Sequence, residues 1–248
     1  MRKFGLIGYP LSHSFSKKYF TEKFHRENIR DCEYDNFEIK KIEDLPVLIL
    51  TYPNLNGFNV TIPYKESIIP YLDELDQVAK KVGAVNVVKI SGDGKKTGYN
   101  SDYYGFRYTL ERWLGTDLKR MKALVLGTGG AAKAVKCVLE DCNIKYRTVS
   151  RQEGKGDYIY FDFTDDPDLI LEYRLIINTT PLGMFPDLNE APNLPYETMD
   201  GSFYLYDLIY NPEKTLFLKK GESSGTRILN GLDMLVLQAE KSWDIWNE

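Results

Sequence analysis

Two histidines and three cysteines are all that this 248-residue chain offers to metal or thiol chemistry. His13 and His25 are too few for a zinc site or a Ser-His-Asp triad, so metal hydrolysis is set aside. Cys32, Cys137 and Cys142 are odd in number and lack CxxC or metal-ligand spacing, which reads as reduced, mostly buried thiols of a cytoplasmic protein. A basic field is missing too. The formal net charge is -4 and no long basic run occurs, so neither nucleic acid nor an anionic membrane is an expected partner. No apolar run approaches the roughly 20 residues of a spanning helix. The N-terminal MRKFGLIGYPLSHSF is broken by glycine and proline too early for a signal peptide. Internal repeats and low-complexity linkers are also absent. What remains, 43% hydrophobic and 27% charged, is an ordinary globular chain long enough for one large domain or two small ones.

The pattern changes character near residue 104. Before it, FGLIGY, CEYDNFEI, GFNVTI, AVNVVKI and KKTGYN read as strands, the last two joined by the turn SGDG. SFSKKYFTEKFHREN reads as a helix with Ser16 as N-cap and Phe15 and Phe20 as a hydrophobic staple. The segment Pro63 to Val82 reads as mainly helical. After residue 104 helix and strand alternate through GFRYTLERWL, KALVLG, GGAAKAVKCVLEDC and KYRTVS, then YIYFDF, LIINTT and FYLYDLIY, which implies a parallel sheet with crossover helices. The tail from Gly231 to Trp246 is amphipathic, with Leu232, Leu235, Val236, Ala239, Trp243 and Trp246 near one stripe.

GTGGAA, residues 127 to 132, follows the apolar strand Ala123 to Leu126 and opens a helix, the setting of a dinucleotide-binding turn. Gly127 permits the tight turn, Gly129 lets the backbone approach a pyrophosphate, and Ala132 keeps helix and sheet close. Gly130 and Ala131 open the helix whose free N–H groups face the phosphates. The next strand ends in Thr148, Val149, Ser150 and Arg151, without the acid that an NAD site places there to bind ribose hydroxyls. An arginine suits a 2'-phosphate and stacks on adenine, so NADP is favoured over NAD. The alternative is a surface arginine at a strand end. In GFNVTIPYK, residues 57 to 65, alternation sets Phe58, Val60 and Ile62 on one face and Asn59 and Thr61 on the other. Lys65 falls just past the strand, where side chains meet solvent or a ligand.

These stretches occur together in a known order. With HSFS (13 to 16), GAVNVV (83 to 88), GYNSDYYGF (98 to 106), NTTPLGM (178 to 184), YDLIYNPEKT (206 to 215) and NGLDMLVLQA (230 to 239), the chain resembles the shikimate dehydrogenases nearly end to end. The resemblance implies an α/β protein of two domains. Residues 1–103 plus 231–248 would form a mixed-sheet substrate domain, and 104–230 a Rossmann-like NADP-binding domain, with the last helix returning to the first domain. The implied activity is NADP-dependent interconversion of 3-dehydroshikimate and shikimate, with Lys65 and Asp102 as catalytic pair. It further implies Ser14, Ser16 and Tyr210 on the substrate carboxylate, and Asn59, Thr61, Asn86 and Gln238 on ring hydroxyls. Beside the glycine turn, Ser150, Arg151, Asn178, Thr179, Met184 and Gly231 would face the cofactor. Asp102 as an N-cap near Tyr103 is the competing structural reading. The expected protein is a monomer or homodimer that binds a small-molecule substrate.

The sequence also departs from the family pattern. Ser101 replaces the usual threonine, and Lys17 the usual proline, adding a cation that either tunes substrate affinity or is merely solvated. Ser150, Arg151 and Gln152 keep only the arginine of the usual Asn-Arg-Thr. From Gln152 to Asp157 the chain is too short for a crossover helix, since parallel connections normally take about a dozen residues or more. A loop is expected there, with Lys155 as a second candidate cation, and this leaves NAD as the alternative cofactor. Two alternative functions stand beside the main one: a quinate/shikimate dehydrogenase using NAD or NADP, and a non-catalytic nucleotide sensor on the same scaffold.

Overall fold

The structure is a computed structural model that describes residues 1–11 and 14–248, so His13 of the HSFS motif lies outside the described residues. The chain forms two compact units, Met1–Ser101 with Ala239–Glu248, and Asp102–Gln238.

The first unit is built on a mixed sheet. It contains β1 (Arg2–Gly8), α1 (Phe15–Arg26), β2 (Cys32–Glu38), α2 (Leu45–Thr51), β3 (Leu55–Val60), β4 (Glu74–Leu75), α3 (Gln77–Val82), β5 (Val87–Ile90) and β6 (Lys96–Tyr99). The strand order is β2-β1-β3-β5-β6-β4. β1 runs parallel to β2 and β3, and β5 is antiparallel to β3 and β6. Ile7, Phe37, Phe58, Val60 and Val88 build the core on one face, and Phe4, Leu6, Tyr34 and Val87 meet Phe20, Phe24, Ala239 and Trp246 on the other. Trp246 stacks on Phe4 at 4.7 Å and donates its indole N–H to the Val88 carbonyl at 3.0 Å. Both faces are therefore covered, and Asn59 is buried rather than presented on an open face.

The second unit is a doubly wound parallel sheet. It holds α4 (Ser101–Leu114, whose first residue belongs to the first unit), β7 (Lys122–Leu126), α5 (Gly130–Asp141), β8 (Lys145–Ser150), β9 (Tyr158–Ile159), α6 (Asp162–Asp165), β10 (Leu175–Asn178), β11 (Tyr204–Asp207), α7 (Leu216–Ser223), β12 (Arg227–Leu229) and the start of α8 (Leu232–Asn247). The order β12-β11-β10-β7-β8-β9 is parallel throughout. α5 buries Ala132, Ala134, Val135, Val138 and Leu139, the 3.6-period stripe that drives such a helix onto a sheet.

Four local expectations change. α1 begins after Ser14, not Ser16. Pro63 to Val82 is mostly turns and one short 3-10 turn, and only α3 is helical, since Pro63 and Pro70 remove backbone donors that a helix needs. Ile62 is 69% exposed because the strand ends at Val60. YIYFDF contributes only two strand residues, because the Asp162 carboxylate accepts the Ile159 N–H at 2.8 Å and turns the chain into α6. The connection from β8 to β9 is a loop without a helix, as its length requires.

Candidate active site

In the first unit, two of the four residues expected to read substrate hydroxyls, Asn59 and Asn86, lie in one buried network. Tyr34 donates its hydroxyl to Asn59 Oδ1 at 2.8 Å, and Asn59 Nδ2 donates to Ser242 Oγ at 2.9 Å and to the Asn86 carbonyl at 3.2 Å. Asn86 Oδ1 accepts the Ser101 N–H at 2.7 Å, its Nδ2 donates to Ser101 Oγ at 3.0 Å, and Ser101 and Ser242 hydroxyls lie 3.2 Å apart. Burial pushes the Tyr34 phenol well up. Sequence reading names Asn59 and Asn86 but misses Tyr34 and Ser242. Ser242 is separated from Asn59 by 183 positions and carries no local signal.

Ser14 is different. Its Oγ is buried without a hydrogen-bond partner, at the N-terminus of a 12-residue helix that has no acidic residue in its first turn. A buried orphan hydroxyl beside unpaired helix N–H groups is a place that an anion would complete. Lys17 is not free for that role: its Nζ lies 3.0 Å from Asp35, which also holds Lys3 at 2.9 Å. These two lysines, Lys3 foremost, keep the Asp35 carboxyl below its usual range.

The turn after β3 holds Thr61 and Lys65. The Thr61 N–H donates to Ile7 at 2.9 Å, Tyr64 donates its hydroxyl to the Ile39 carbonyl at 2.7 Å, and the Lys65 carbonyl accepts Val85 N–H at 2.7 Å. Lys65 thereby sits half-buried on a fixed backbone, next in pairing to the segment that carries Asn86. Asp102, in the second unit, is buried in the first turn of α4 and is not the residue preceding the helix. Gln238 is half-buried on α8, its Nε2 donating to the Leu235 carbonyl at 2.9 Å.

The glycine turn has the form a dinucleotide needs. Gly127 has φ +108°, and a Cβ there would lie 2.7 Å from Thr179 Oγ1, so only glycine fits and the structure brings Gly127 and Thr179 together. Thr179 is held by its own bonds to the Leu126 carbonyl. Gly129 precedes α5 without a side-chain cap, and a Cβ there would meet open space, which leaves the N–H groups of Gly130 and Ala131 accessible. Phosphates fit this cradle. Ser150 is buried, its Oγ accepting the Gln152 N–H at 3.0 Å, while Arg151 and Lys155 are exposed and make no ion pair among the described residues. Asp157 accepts the Thr148 N–H at 2.7 Å, pinning the short loop back on β8. Met184 is 44% exposed, in a turn where its N–H donates to Pro181 at 3.0 Å.

At the end of the sheet, Asp207 is fully buried, and burial lifts its carboxyl to about 6 against the pull of its hydrogen bonds from Thr215, the Ile209 N–H and Asn178. Tyr210 follows in the same turn, its phenol raised by burial. Gly231 packs so tightly that a Cβ would lie 2.1 Å from the Leu208 carbonyl.

Comparison with known proteins adds independent findings. Residues 6–88 match the family model described as the shikimate dehydrogenase substrate binding domain. A curated relative from Clostridium beijerinckii, shikimate dehydrogenase (NADP(+)), is 39% identical over 100% of this chain and 93% of its own length. The crystal structure of a shikimate dehydrogenase in complex with NADP+ is 32% identical, with a TM-score of 0.83 over 99% of this chain and 90% of that one. The enzyme of Thermus thermophilus, solved with NADP(H) and shikimate, is 28% identical with a TM-score of 0.85, covering 99% of this chain and 93% of that one.

Proposed function

The chain belongs to the shikimate dehydrogenase family, and from that premise we propose that it is an NADP-dependent oxidoreductase interconverting 3-dehydroshikimate and shikimate. The observation that carries this reading is the full-length likeness to a curated NADP-dependent member, spanning substrate unit and nucleotide turn alike. Bound NADPH supplies the hydride. The chain's own residues then manage charge and orientation. Lys65 stabilises the oxygen that gains negative charge at the former carbonyl and delivers the proton that completes the alcohol. Asp102 is assigned the role of orienting that ammonium. In the oxidative direction the proton returns to Lys65.

Ser14 and Ser16 at the start of α1, with Tyr210, bind the substrate carboxylate, and the orphan Ser14 hydroxyl supports this assignment. Asn59, Thr61, Asn86 and Gln238 select the ring hydroxyls. Gly127, Gly129, Gly130 and Ala131 receive the pyrophosphate, Thr179, Met184 and Gly231 line the nicotinamide side, and Ser150 and Arg151 take the adenosine side. We place the protein in the cytoplasm, as a monomer or homodimer, in line with its three free cysteines. No helix among the described residues is long and apolar enough to cross a membrane.

One observation favours a second reading of the cofactor. The loop after β8 lacks a helix, so 2'-phosphate recognition rests on Arg151 with Lys155, and NAD then competes better. Initial rates with shikimate and with quinate, each with NADP and NAD, test the proposal in the parent and in Lys65→Ala. Turnover of shikimate with NADP that collapses in the variant is the expected result. A preference for NAD supports the second cofactor reading, equal use of quinate widens the substrate class, and nucleotide binding without turnover overturns the enzyme reading in favour of a sensor.

A further inference from the structure

Residues assigned above to substrate and cofactor leave the second sheet from three separate places: Thr179 and Met184 after β10, Tyr210 after β11, and Gly231 after β12. Asn178 and Asp207 are register partners on the last rung of β10 and β11, and both are fully buried. Asn178 Nδ2 donates to Asp207 Oδ1 at 3.0 Å. On its other side Asn178 Oδ1 accepts both the N–H and the hydroxyl of Thr180, at 3.0 and 2.7 Å, and its carbonyl accepts the Leu208 N–H at 3.0 Å. Asp207 Oδ1 also accepts the Ile209 N–H at 3.1 Å, and Ile209 in turn accepts the Gly231 N–H at 3.0 Å. Asp207 Oδ2 accepts the Thr215 hydroxyl at 2.5 Å, and Thr215 Oγ1 caps α7 through the Leu218 N–H.

No lysine or arginine pairs with Asp207 among the described residues. Burying a carboxylate without a cation is costly, and a neutral side chain of the same size would avoid that cost. Asparagine, however, offers one acceptor oxygen where this site presents three donors, from Asn178, Ile209 and Thr215, so its amide fits only if the Thr215 hydroxyl gives up its donation and turns to accept. The aspartate side chain thus fits the hydrogen-bond directions present here, and asparagine would have to reverse one of them.

We propose that Asp207 is a positioning residue: with Asn178 it clamps the turns after β10 and β11 and the chain leading into α8, so that Thr179, Met184, Tyr210 and Gly231 keep one fixed arrangement toward cofactor and substrate. The inference rests on the functional reading above. A positioning role predicts weaker binding by folded protein, whereas a purely structural role lowers only stability.

The test compares the parent, Asp207→Asn, the exchange variant Asn178→Asp with Asp207→Asn, and Thr215→Val. Thermal melts establish which variants are folded at the assay temperature. NADP+ affinity is then measured by calorimetric titration, and shikimate KM and kcat by steady-state rates. Folded Asp207→Asn should bind NADP+ and shikimate about tenfold more weakly, and the exchange, which restores the cross-strand bond, should recover at least part of that loss. Thr215→Val, which removes one donor without adding a conflicting one, should show a smaller change of the same kind and carries the test should Asp207→Asn not fold. A lower melting temperature with unchanged NADP+ affinity and shikimate KM overturns the clamp while leaving the enzyme reading intact. A parent that binds NADP+ but does not oxidise shikimate overturns the enzyme reading, and the clamp is then decided on NADP+ affinity alone.

Discussion

In the first unit the amides of Asn59 and Asn86 are already engaged by Tyr34, Ser101 and Ser242, whereas in the second the turn at Gly129 is open and Arg151 and Lys155 make no ion pair among the described residues. On the proposed function, one unit would meet its ligand with amides already held in a network, and the other with an open turn and cations that make no ion pair among the described residues. The difference suits what each is proposed to read. Hydroxyls on a small ring must be distinguished by fixed donors and acceptors, and a loosely held amide would accept several patterns. Phosphates carry charge enough to bind groups that are only roughly placed. Damage should therefore cost folding and chemistry in the first unit and affinity in the second.

The largest effect expected is that of Lys65→Ala. Loss of a proton donor lowers kcat by roughly 10² to 10⁴, and NADP+ affinity, measured by titration, should stay near the parent value. Weakened NADP+ binding of similar size would erase the division of labour between the units. Next is Asn59→Ala, which leaves Tyr34 and Ser242 facing a void in a buried network. A loss of about 3 kcal/mol is expected, seen as a fall in melting temperature of roughly 6–12 °C for a chain of this size. A melt within a degree of the parent would show that the network is not structural.

Asp207 gives a contrast in pH. Its carboxyl titrates at about 6 in the fold, against about 3.9 unfolded. The folded state holds the proton more firmly, so the stability advantage of the parent over Asp207→Asn is greatest below about pH 4 and declines as pH rises toward 6. The change amounts to at most about 3 kcal/mol at 1.36 kcal/mol per pKa unit. Denaturant unfolding of both proteins from pH 4 to 7 measures it, and a constant difference would refute the assignment. Arg151→Ala should weaken NADP+ binding by roughly 10- to 100-fold, the size of a charged hydrogen bond, with little change for NAD. The smallest effect belongs to Lys17→Ala. Its ion pair with Asp35 is half exposed, worth about 0–1 kcal/mol, and shikimate KM should move by less than about threefold. A larger rise would place Lys17 on the substrate after all.

Much of this was legible in the chain itself. Alternation in β1, β2 and β3, the glycine turn before α5 and the stripe of α5 are local patterns, and the motifs name most residues of the proposed site. The rest depends on contacts that no window contains. The apolar residues of Pro63 to Val82 suggested a helix, yet Ile68, Ile69, Tyr71 and Leu72 reach the core from turns because two prolines interrupt the backbone ladder. YIYFDF looks like a strand until the Asp162 carboxylate captures the Ile159 N–H. Asn59 is recognisable as a polar residue in a strand, but that its amide is completed by Ser242 follows only from the packing of α8. Asp207 stands inside the motif that also carries Tyr210, and only the cross-strand register with Asn178 shows what it joins.

The same helix has a consequence for biosynthesis. α8 supplies its residues up to Gln238 to the second unit and those from Ala239 to the first, where Trp246 closes the core against Phe4 and Arg2 bonds Asn247 at 2.8 Å. A ribosome releases the residues of the second unit before it releases the end of the first. Domains generally fold as they emerge, but here the sheet of the first unit lacks one wall of its core until α8 has been made. The unit that begins first is therefore completed only after the second, and its exposed strands must wait, in a crowded cell, for the later turns of α8.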